Sequence, residues 1–215
     1  MAEPRVPPGR AGRLRLRRSL DVARRGADLL DQKLRVLRTR HAELLRAEQD
    51  AGERWRQRLG QAERWLRRGL LLNGEEALDT TDFTRRAELE VSWASTMGVR
   101  HPGSVTCAVP PREPDDPTPA NTALLHAEAA YAEAVRAAAA YAAARSASRA
   151  VGDEVVRTRR RLRALRRHWV PRLETALAAA DRALEQSEHE DAVRRRWAAG
   201  ARGTPADGRP DPADR

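Results

Sequence analysis

Between residues 13 and 75 the chain has no proline, and its seam residues fall at alternating steps of four and three: Ala23, Ala27, Leu30, Leu34, Leu37, His41, Leu44, Glu48, Ala51 and Trp55. This is the a/d stripe of a heptad, sustained long enough that only a long helix with a partner along its length satisfies it. Leu59, Ala62 and Leu66 continue after a second step of four, which locally unwinds a left-handed supercoil. Residues 120–199 have the same character, with Pro171 their only proline. There Ser148, Val151, Val155, Thr158, Leu162, Leu165 and Trp169 alternate three and four, and Leu173, Leu177, Ala180 and Leu184 follow after a pair of four-steps. Two complementary seams in one chain close on each other. The expected fold is therefore dominated by α-helix: a long antiparallel two-helix coiled coil, a helical hairpin with the proportions of a rod. The alternative is two separate coiled coils, each dimerising with another chain. Setting Leu20 against position 190 and Leu70 against position 140 predicts Trp55 beside Val155, Leu37 near Leu173 and Leu30 near Ala180. At Pro171 the looser four-four winding predicts a continuous, bent helix.

Residues 76–119 break the pattern with Pro102, Pro110, Pro111, Pro114, Pro117 and Pro119. Leu89, Val91 and Trp93 alternate, as do Val105, Cys107 and Val109, with Met97-Gly98-Val99 and Pro102-Gly103 between them. That is a β-hairpin signature, and such a hairpin is too small to stand alone. Residues 1–12, with Pro4, Pro7, Pro8, Gly9 and Gly12, read as an extended N-terminal arm. Residues 200–215 lack large apolar anchors and read as a disordered tail. The expected order is arm 1–12, helix 13–75, insert 76–119, helix 120–199, tail 200–215.

No catalytic constellation emerges. Lys33, the only lysine, follows Gln32, so there is no G-x-x-x-x-G-K phosphate loop, and no G-x-G-x-x-G occurs. His41, His101, His126, His168 and His189 form no close ligand pair. A lone Cys107 excludes an intramolecular disulfide and fits a reducing, cytoplasmic setting. No cofactor, metal or direct nucleotide is expected. No stretch approaches a membrane span, and the N-terminus has no apolar core of a secretory signal. The net charge of +10 and the pI of about 11.2 raise nucleic acid as a partner, because Arg13, Arg15, Arg17, Arg18, Arg24 and Arg25 cluster, as do Arg157, Arg159, Arg160, Arg161, Arg163, Arg166 and Arg167. Interspersed acidic residues and the absence of a stacking set of aromatics argue against it. A basic structural scaffold remains the other alternative.

Three segments carry a family resemblance. PPGRAGRLRLRRSLDVARRGADLLDQKLRVL, with Arg25-Gly26 and Leu29 to Lys33, resembles the opening helix of the D subunit of V-type and archaeal-type rotary ATPases. ELEVSWASTMGV resembles that family's middle strand and turn. Arg157 to Leu177 is similar to its T-x-R-R-V-N-A-L-E and I-P-R-L-E run. Thr158, Arg160, Arg161, Ala164, Leu165, Pro171, Arg172, Leu173, Glu174 and Thr175 coincide, while Leu162, Arg163, Arg166 and Val170 depart from it. The resemblance spans about residues 5–197. It implies a non-catalytic central-stalk rotor protein that transmits torque between an ATP-hydrolysing or ATP-synthesising hexamer and an ion-translocating ring. The implied partners are the A and B subunits of the hexamer, the small F subunit of the rotor, and the funnel-shaped subunit that caps the membrane ring. The implied location is cytoplasmic, peripheral to the inner face of the plasma membrane, without membrane insertion. Both chain ends would enter the hexamer bore, with Arg13, Arg17, Arg18, Arg24, Arg25, Arg194, Arg195 and Arg196 as candidate contacts.

Overall fold

The structure, a computed structural model, describes residues 9–81 and 86–202. In order along the chain lie α1 (Arg10–Asn73), a 3₁₀ turn (Glu75–Thr81), β1 (Glu88–Thr96), β2 (Val99–Ala108), α2 (Thr122–Ala164), a π turn (Leu165–Trp169) and α3 (Val170–Arg202). A long helical hairpin with a two-stranded antiparallel insert is the fold class that the heptads led us to expect. Packing divides the chain into two units, one formed by Leu30–Arg161 and the other by the described parts of Met1–Leu29 and Leu162–Arg215.

The helix bounds differ slightly from expectation. Gly9 takes φ +89°, and its carbonyl accepts the N–H groups of Gly12 (3.1 Å) and Arg13 (3.2 Å). Residues 10–12 are therefore helix and not arm. The rest of the expected arm, residues 1–8, and most of the expected tail, residues 203–215, lie outside the described residues.

In the Leu30–Arg161 unit the seam follows the heptad. Leu34, Leu37, Leu44, Ala51 and Ala62 are buried on α1, and Ala127, Ala134, Ala147, Ser148, Val151 and Thr158 are buried on α2. His41, Glu48 and Trp55 are half-buried on the same stripe. The partners differ from those expected. Trp55 stacks on Tyr141, with centroids 5.5 Å apart, and does not sit beside Val155, an offset of about four turns. Leu37 and Leu44 cluster with Ala147 and Val151, the Ser148 hydroxyl donates to Glu48, and Trp65 meets His126. The reason lies at the start of α2. Its seam begins at Ala123, with Leu124, Ala127 and Ala134 also buried, whereas the expected register left this alanine-rich stretch unpaired. Pairing the start of α2 with the end of α1 lets both helices bury their apolar stripes along their full shared length.

That closure is built from local capping. α1 ends at Gly74, whose φ of +70° is the left-handed cap a glycine supplies cheaply, and its N–H bonds the Leu70 carbonyl at 2.8 Å. Asn121 caps α2, its Oδ1 accepting from the Leu124 N–H at 2.9 Å. Its amide also donates to the Gly69 carbonyl at 3.0 Å and to the Asn73 side chain at 2.7 Å. One side chain thus bonds backbone groups at two helix ends. The helices approach closely here: a Cβ on Gly69 would lie 2.6 Å from Leu124 Cδ2 and 3.3 Å from its backbone nitrogen.

The hairpin closes through Met97 (φ 51°) and Gly98 (φ 82°). Positive φ at both centres marks the two-residue turn whose twist matches the strands. The connection is therefore tighter than the sequence suggests, and Pro102-Gly103 lies within β2. The register steps between Ser92↔Ser104 and Trp93↔Pro102, leaving Gly103 as a bulge, a position where a strand tolerates proline alongside. Val99 packs on the Leu37–Val151 cluster. His101 is buried at 1% exposure, its Nε2 3.1 Å from the Thr96 hydroxyl and its Nδ1 2.9 Å from the Pro102 carbonyl. Arg112 ties the proline-rich segment to α2 through Glu128 at 2.7 Å.

In the other unit Leu173 packs with Leu16, Leu20 and Ala23, flanked by Trp169, Leu177 and Ala180. These neighbours replace the expected pairings of Leu173 with Leu37 and of Ala180 with Leu30. Ahead of Pro171 the helix adopts one π turn, in which the Val170 N–H bonds the Leu165 carbonyl and both flanking residues keep right-handed helical dihedrals. The helix stays continuous past the proline. The extra residue in that turn absorbs the repeated four-residue steps Leu165, Trp169, Leu173, and it widens the backbone where the pyrrolidine ring would clash.

Two substitutions test the closure. Asn121→Ala is expected to lower stability by about 1–2 kcal/mol. Gly69→Ala is expected to be destabilising despite the ~1 kcal/mol that alanine gains in helix propensity, because overpacking costs about 1–3 kcal/mol. Thermal melts followed by circular dichroism read both, and a raised midpoint for Gly69→Ala would contradict the close approach.

Candidate partner-binding surfaces

The arginines nominated for partner contact separate into satisfied and unsatisfied groups. Arg13 Nε lies 2.5 Å from Asp181 and Arg24 Nη2 lies 2.7 Å from Glu174, and Arg10 reaches Glu188 at 2.7 Å. Arg25 donates to the Asp21 carbonyl. Arg194 meets Glu190 and Asp191, and Arg195 donates to the Asp191 carbonyl. Arg17, Arg18 and Arg196 make no ion pair among the described residues and are exposed. Exposed pairs of this kind contribute roughly 0–1 kcal/mol each. They neutralise charge more than they stabilise, so the free guanidinium groups dominate the local field.

The motif residues of the second helical stretch do mostly structural work. Thr158 is buried at 1% exposure and its hydroxyl donates to Glu154 at 3.2 Å. Leu173 is a core residue and Glu174 binds Arg24. The Pro171 carbonyl accepts the Thr175 hydroxyl at 2.9 Å. Leu165 lies in the π turn, while Arg160, Arg161 and Arg172 are exposed.

Sequence reasoning passed over one polar layer. Lys33, the only lysine, donates to Glu154 Oε1 at 3.0 Å, with side-chain exposures of 27% and 15%. The hydrogen bond from Lys33 holds the Glu154 carboxyl below the usual carboxylate range against the opposing effect of burial, with the Lys33 charge, Thr158 and Arg161 adding to the depression. The signal for this layer was present in the sequence: a single lysine among forty arginines, one turn before the seam residue Leu37.

Large apolar side chains also stand exposed off the seam. In the hairpin, Leu89 (60% exposed), Val91 and Trp93 share one face, with the Arg100 guanidinium 4.5 Å over the Trp93 ring. Near the start of α1, Leu14 and Val22 are exposed and border a groove of about 780 Å³ that also includes Leu165 and Trp169. Among the described residues no three His, Cys, Asp or Glu side chains gather to hold a metal, and no helix is long and apolar enough to cross a membrane.

The Lys33–Glu154 layer gives a signed pH prediction. A depressed carboxylate stabilises the fold above its unfolded pKa of ~4.3, and this contribution fades as pH falls through the lower folded value. Glu154→Gln is expected to cost about 1 kcal/mol at pH 7, with the gap from the parent protein closing below about pH 4. Urea titrations across that range measure it, and a constant gap would show that the charge is not responsible.

The comparisons agree with this architecture. The family model described as the D subunit of ATP synthase matches residues 13–200. The V-type ATP synthase D subunit of Anaeromyxobacter sp. (strain Fw109-5) is 33% identical over 196 residues, covering 88% of this chain and 91% of that protein. With its heptad helices, middle hairpin and motif helix all inside the matched span, the chain belongs to the family of ATP synthase D subunits.

Proposed function

We propose that this chain is the central rotor subunit of a V/A-type rotary ATPase or ATP synthase, a non-catalytic element that carries torque between the nucleotide-binding hexamer and the ion-translocating ring. The observation that carries the reading is a single uninterrupted helix, α1, of 64 residues inside a chain of this family. A torque carrier needs length and resistance to unwinding, and it needs no nucleotide site of its own. Each seam described above resists separation of the helices through packing and side-chain bonds together.

In the proposed mechanism, the A and B subunits of the hexamer adopt different closures with nucleotide state, and each closure favours one orientation of the rotor. Arg17, Arg18 and Arg196, which make no ion pair among the described residues, are the contacts of choice within the bore. Arg13, Arg24, Arg25, Arg194 and Arg195 contribute field with their geometry already fixed by neighbours. The hairpin, with Leu89 and Trp93 exposed, is the foot surface for the F subunit or for the funnel-shaped subunit. Association with the ring through that funnel makes the protein peripheral to the inner face of the plasma membrane.

Reconstitution tests the reading. The chain is expected to copurify with the A, B and F subunits and to hydrolyse no ATP alone. Deleting residues 1–25 together with 185–215 is expected to impair coupling more than assembly. Replacing residues 87–109 with a Gly/Ser linker is expected to weaken retention of the F subunit or the stimulation of hydrolysis. Retention of each partner and ATP-driven rotation are scored separately. ATPase activity of the chain alone, or salt-resistant binding of nucleic acid in place of the hexamer, would overturn it.

A further inference from the structure

The two edges of the hairpin are built differently. Among the described residues β1 and β2 pair only with each other, so each strand carries an outer row of backbone groups with no ladder partner. Natural sheets blunt such edges with proline, bulges or lysine. β2 has two of these devices, Pro102 and the bulge at Gly103. β1, with the sequence ELEVSWAST, has no proline, glycine or lysine, and its own residues pair without a gap. A two-residue turn makes Thr96 and Val99 the closing bonded pair, and alternate residues from there turn their N–H and C=O groups outward. On β1 these are Ser95, Trp93, Val91 and Leu89. On β2 Pro102 holds such a position, where its missing N–H costs no bond within the hairpin. The same β1 residues supply the exposed apolar face, Leu89, Val91 and Trp93, the last 55% exposed. Glu88 and Glu90, which alternate with them, are exposed and make no ion pair among the described residues. The Arg100 guanidinium lies over Trp93 toward the turn, away from both carboxylates. The hairpin is seated from its other strand, since Val99 packs on the Leu37–Val151 cluster and His101 is buried. An open backbone edge, an apolar face and unpaired charge of one sign therefore coincide on β1.

The geometry points to the outer edge of β1 as the acceptor of a β-strand from another protein of the complex, one in which apolar residues alternate with Lys or Arg. That strand extends the sheet to three. Its backbone bonds the outward groups of Leu89, Val91, Trp93 and Ser95. Its apolar side chains lie beside Leu89, Val91 and Trp93, and its basic ones beside Glu88 and Glu90. A helix fits this edge poorly, because its apolar residues return every third or fourth position and its backbone groups are already bonded to one another. The two carboxylates select basic over acidic strands. A third strand also supplies what two strands lack, since an isolated hairpin is marginal in water and three strands with an apolar face are not. The inference rests on the proposed rotor role for which complex supplies the strand, and its first test does not depend on that role.

The full-length chain is titrated with a labelled peptide of alternating Val and Lys, matched in length to the nine residues of β1, and with the analogue in which every Lys is Glu. The basic peptide is expected to bind at least about tenfold more tightly than the acidic one, and Glu88→Lys with Glu90→Lys to reverse that order. Val91→Pro removes one outward N–H of β1 and no bond to β2, so it is expected to abolish binding, while Val91→Ile keeps the N–H and is expected to bind as the parent does. Val105→Pro makes the same change at the cross-strand partner of Val91, on the edge that Pro102 already blunts, and is expected to leave binding unchanged. Equal affinity for the two peptides, no binding, or equal loss from the two proline variants overturns the inference. Hydrogen exchange on the unaltered chain gives a reading that no substitution can disturb. In the assembled complex the outward amides of Val91 and Ser95 are expected to slow at least about tenfold, while those of Glu90 and Ala94, bonded to β2 throughout, change little. Unchanged exchange at Val91 and Ser95 in an intact complex, or slowing there when the chain pairs with a second copy of itself alone, overturns it. Failure to assemble with ATPase subunits counts against the rotor reading alone, and the peptide titration still decides the edge.

Discussion

A seam between two helices is one residue wide on each side, and that narrowness governs both units. Among the described residues only Val99 of the hairpin adds to the seam clusters from outside the two helical stretches, so most buried positions meet few partners. Small residues dominate: Ala23, Ala27, Ala51, Ala62, Ala127, Ala134 and Ala147 are all buried. A seam this thin gains less from apolar area than a globular core does. It also permits sliding, because an alanine stripe displaced by a heptad still finds alanine opposite. Polar pairs then decide the register. Lys33 with Glu154, Ser148 with Glu48, and Asn121 with Gly69 and Asn73 each have one correct partner, and slippage leaves all of them unpaired. The penalty for an unsatisfied, partly buried polar group is of order 1–3 kcal/mol, comparable to what an alanine layer offers.

Positions on the seam were legible from spacing alone, and pairings across it were not. Every a/d position read from Ala23 to Leu66 is buried or half-buried in the structure, because helical periodicity is a local property. Register is a long-range property, set by where the chain turns back. Asn121 and Gly74 hold that information, yet each looks like ordinary loop composition until the two helix ends are seen sharing one side chain. Tyr141 was visible as an aromatic in an alanine run, but nothing in the sequence says that it faces Trp55. The hairpin was legible from alternation and its Met97-Gly98 turn from the family resemblance, while alternation alone left the connection as wide as Met97 to Gly103 because Pro102-Gly103 also reads as a turn.

The basic surface divides along the same line. Clusters of arginine are plain in the sequence, and which arginines are already neutralised is not. Arg13 and Arg18 look equivalent five residues apart, yet one lies 2.5 Å from Asp181 and the other faces the groove. Neutralisation on one face and freedom on the other turn a uniformly basic segment into a directional one. The π turn was half legible: repeated steps of four announced looser winding, and Pro171 marked where, but α-helix was the default and the wider turn has no signature of its own.

The lysine composition has a consequence for covalent chemistry. Apart from any terminal amine, the chain offers one primary amine, and it lies half-buried between two helices with its ammonium on Glu154. Acylating reagents and lysine-specific proteases reach it fastest when the seam opens locally, since the closed seam holds the amine against Glu154 and shields it. A reaction that reads only local breathing in most proteins, averaged over many lysines, reads a single defined layer in this one. The rate of that reaction is a clock on helix separation at Lys33, with no label introduced.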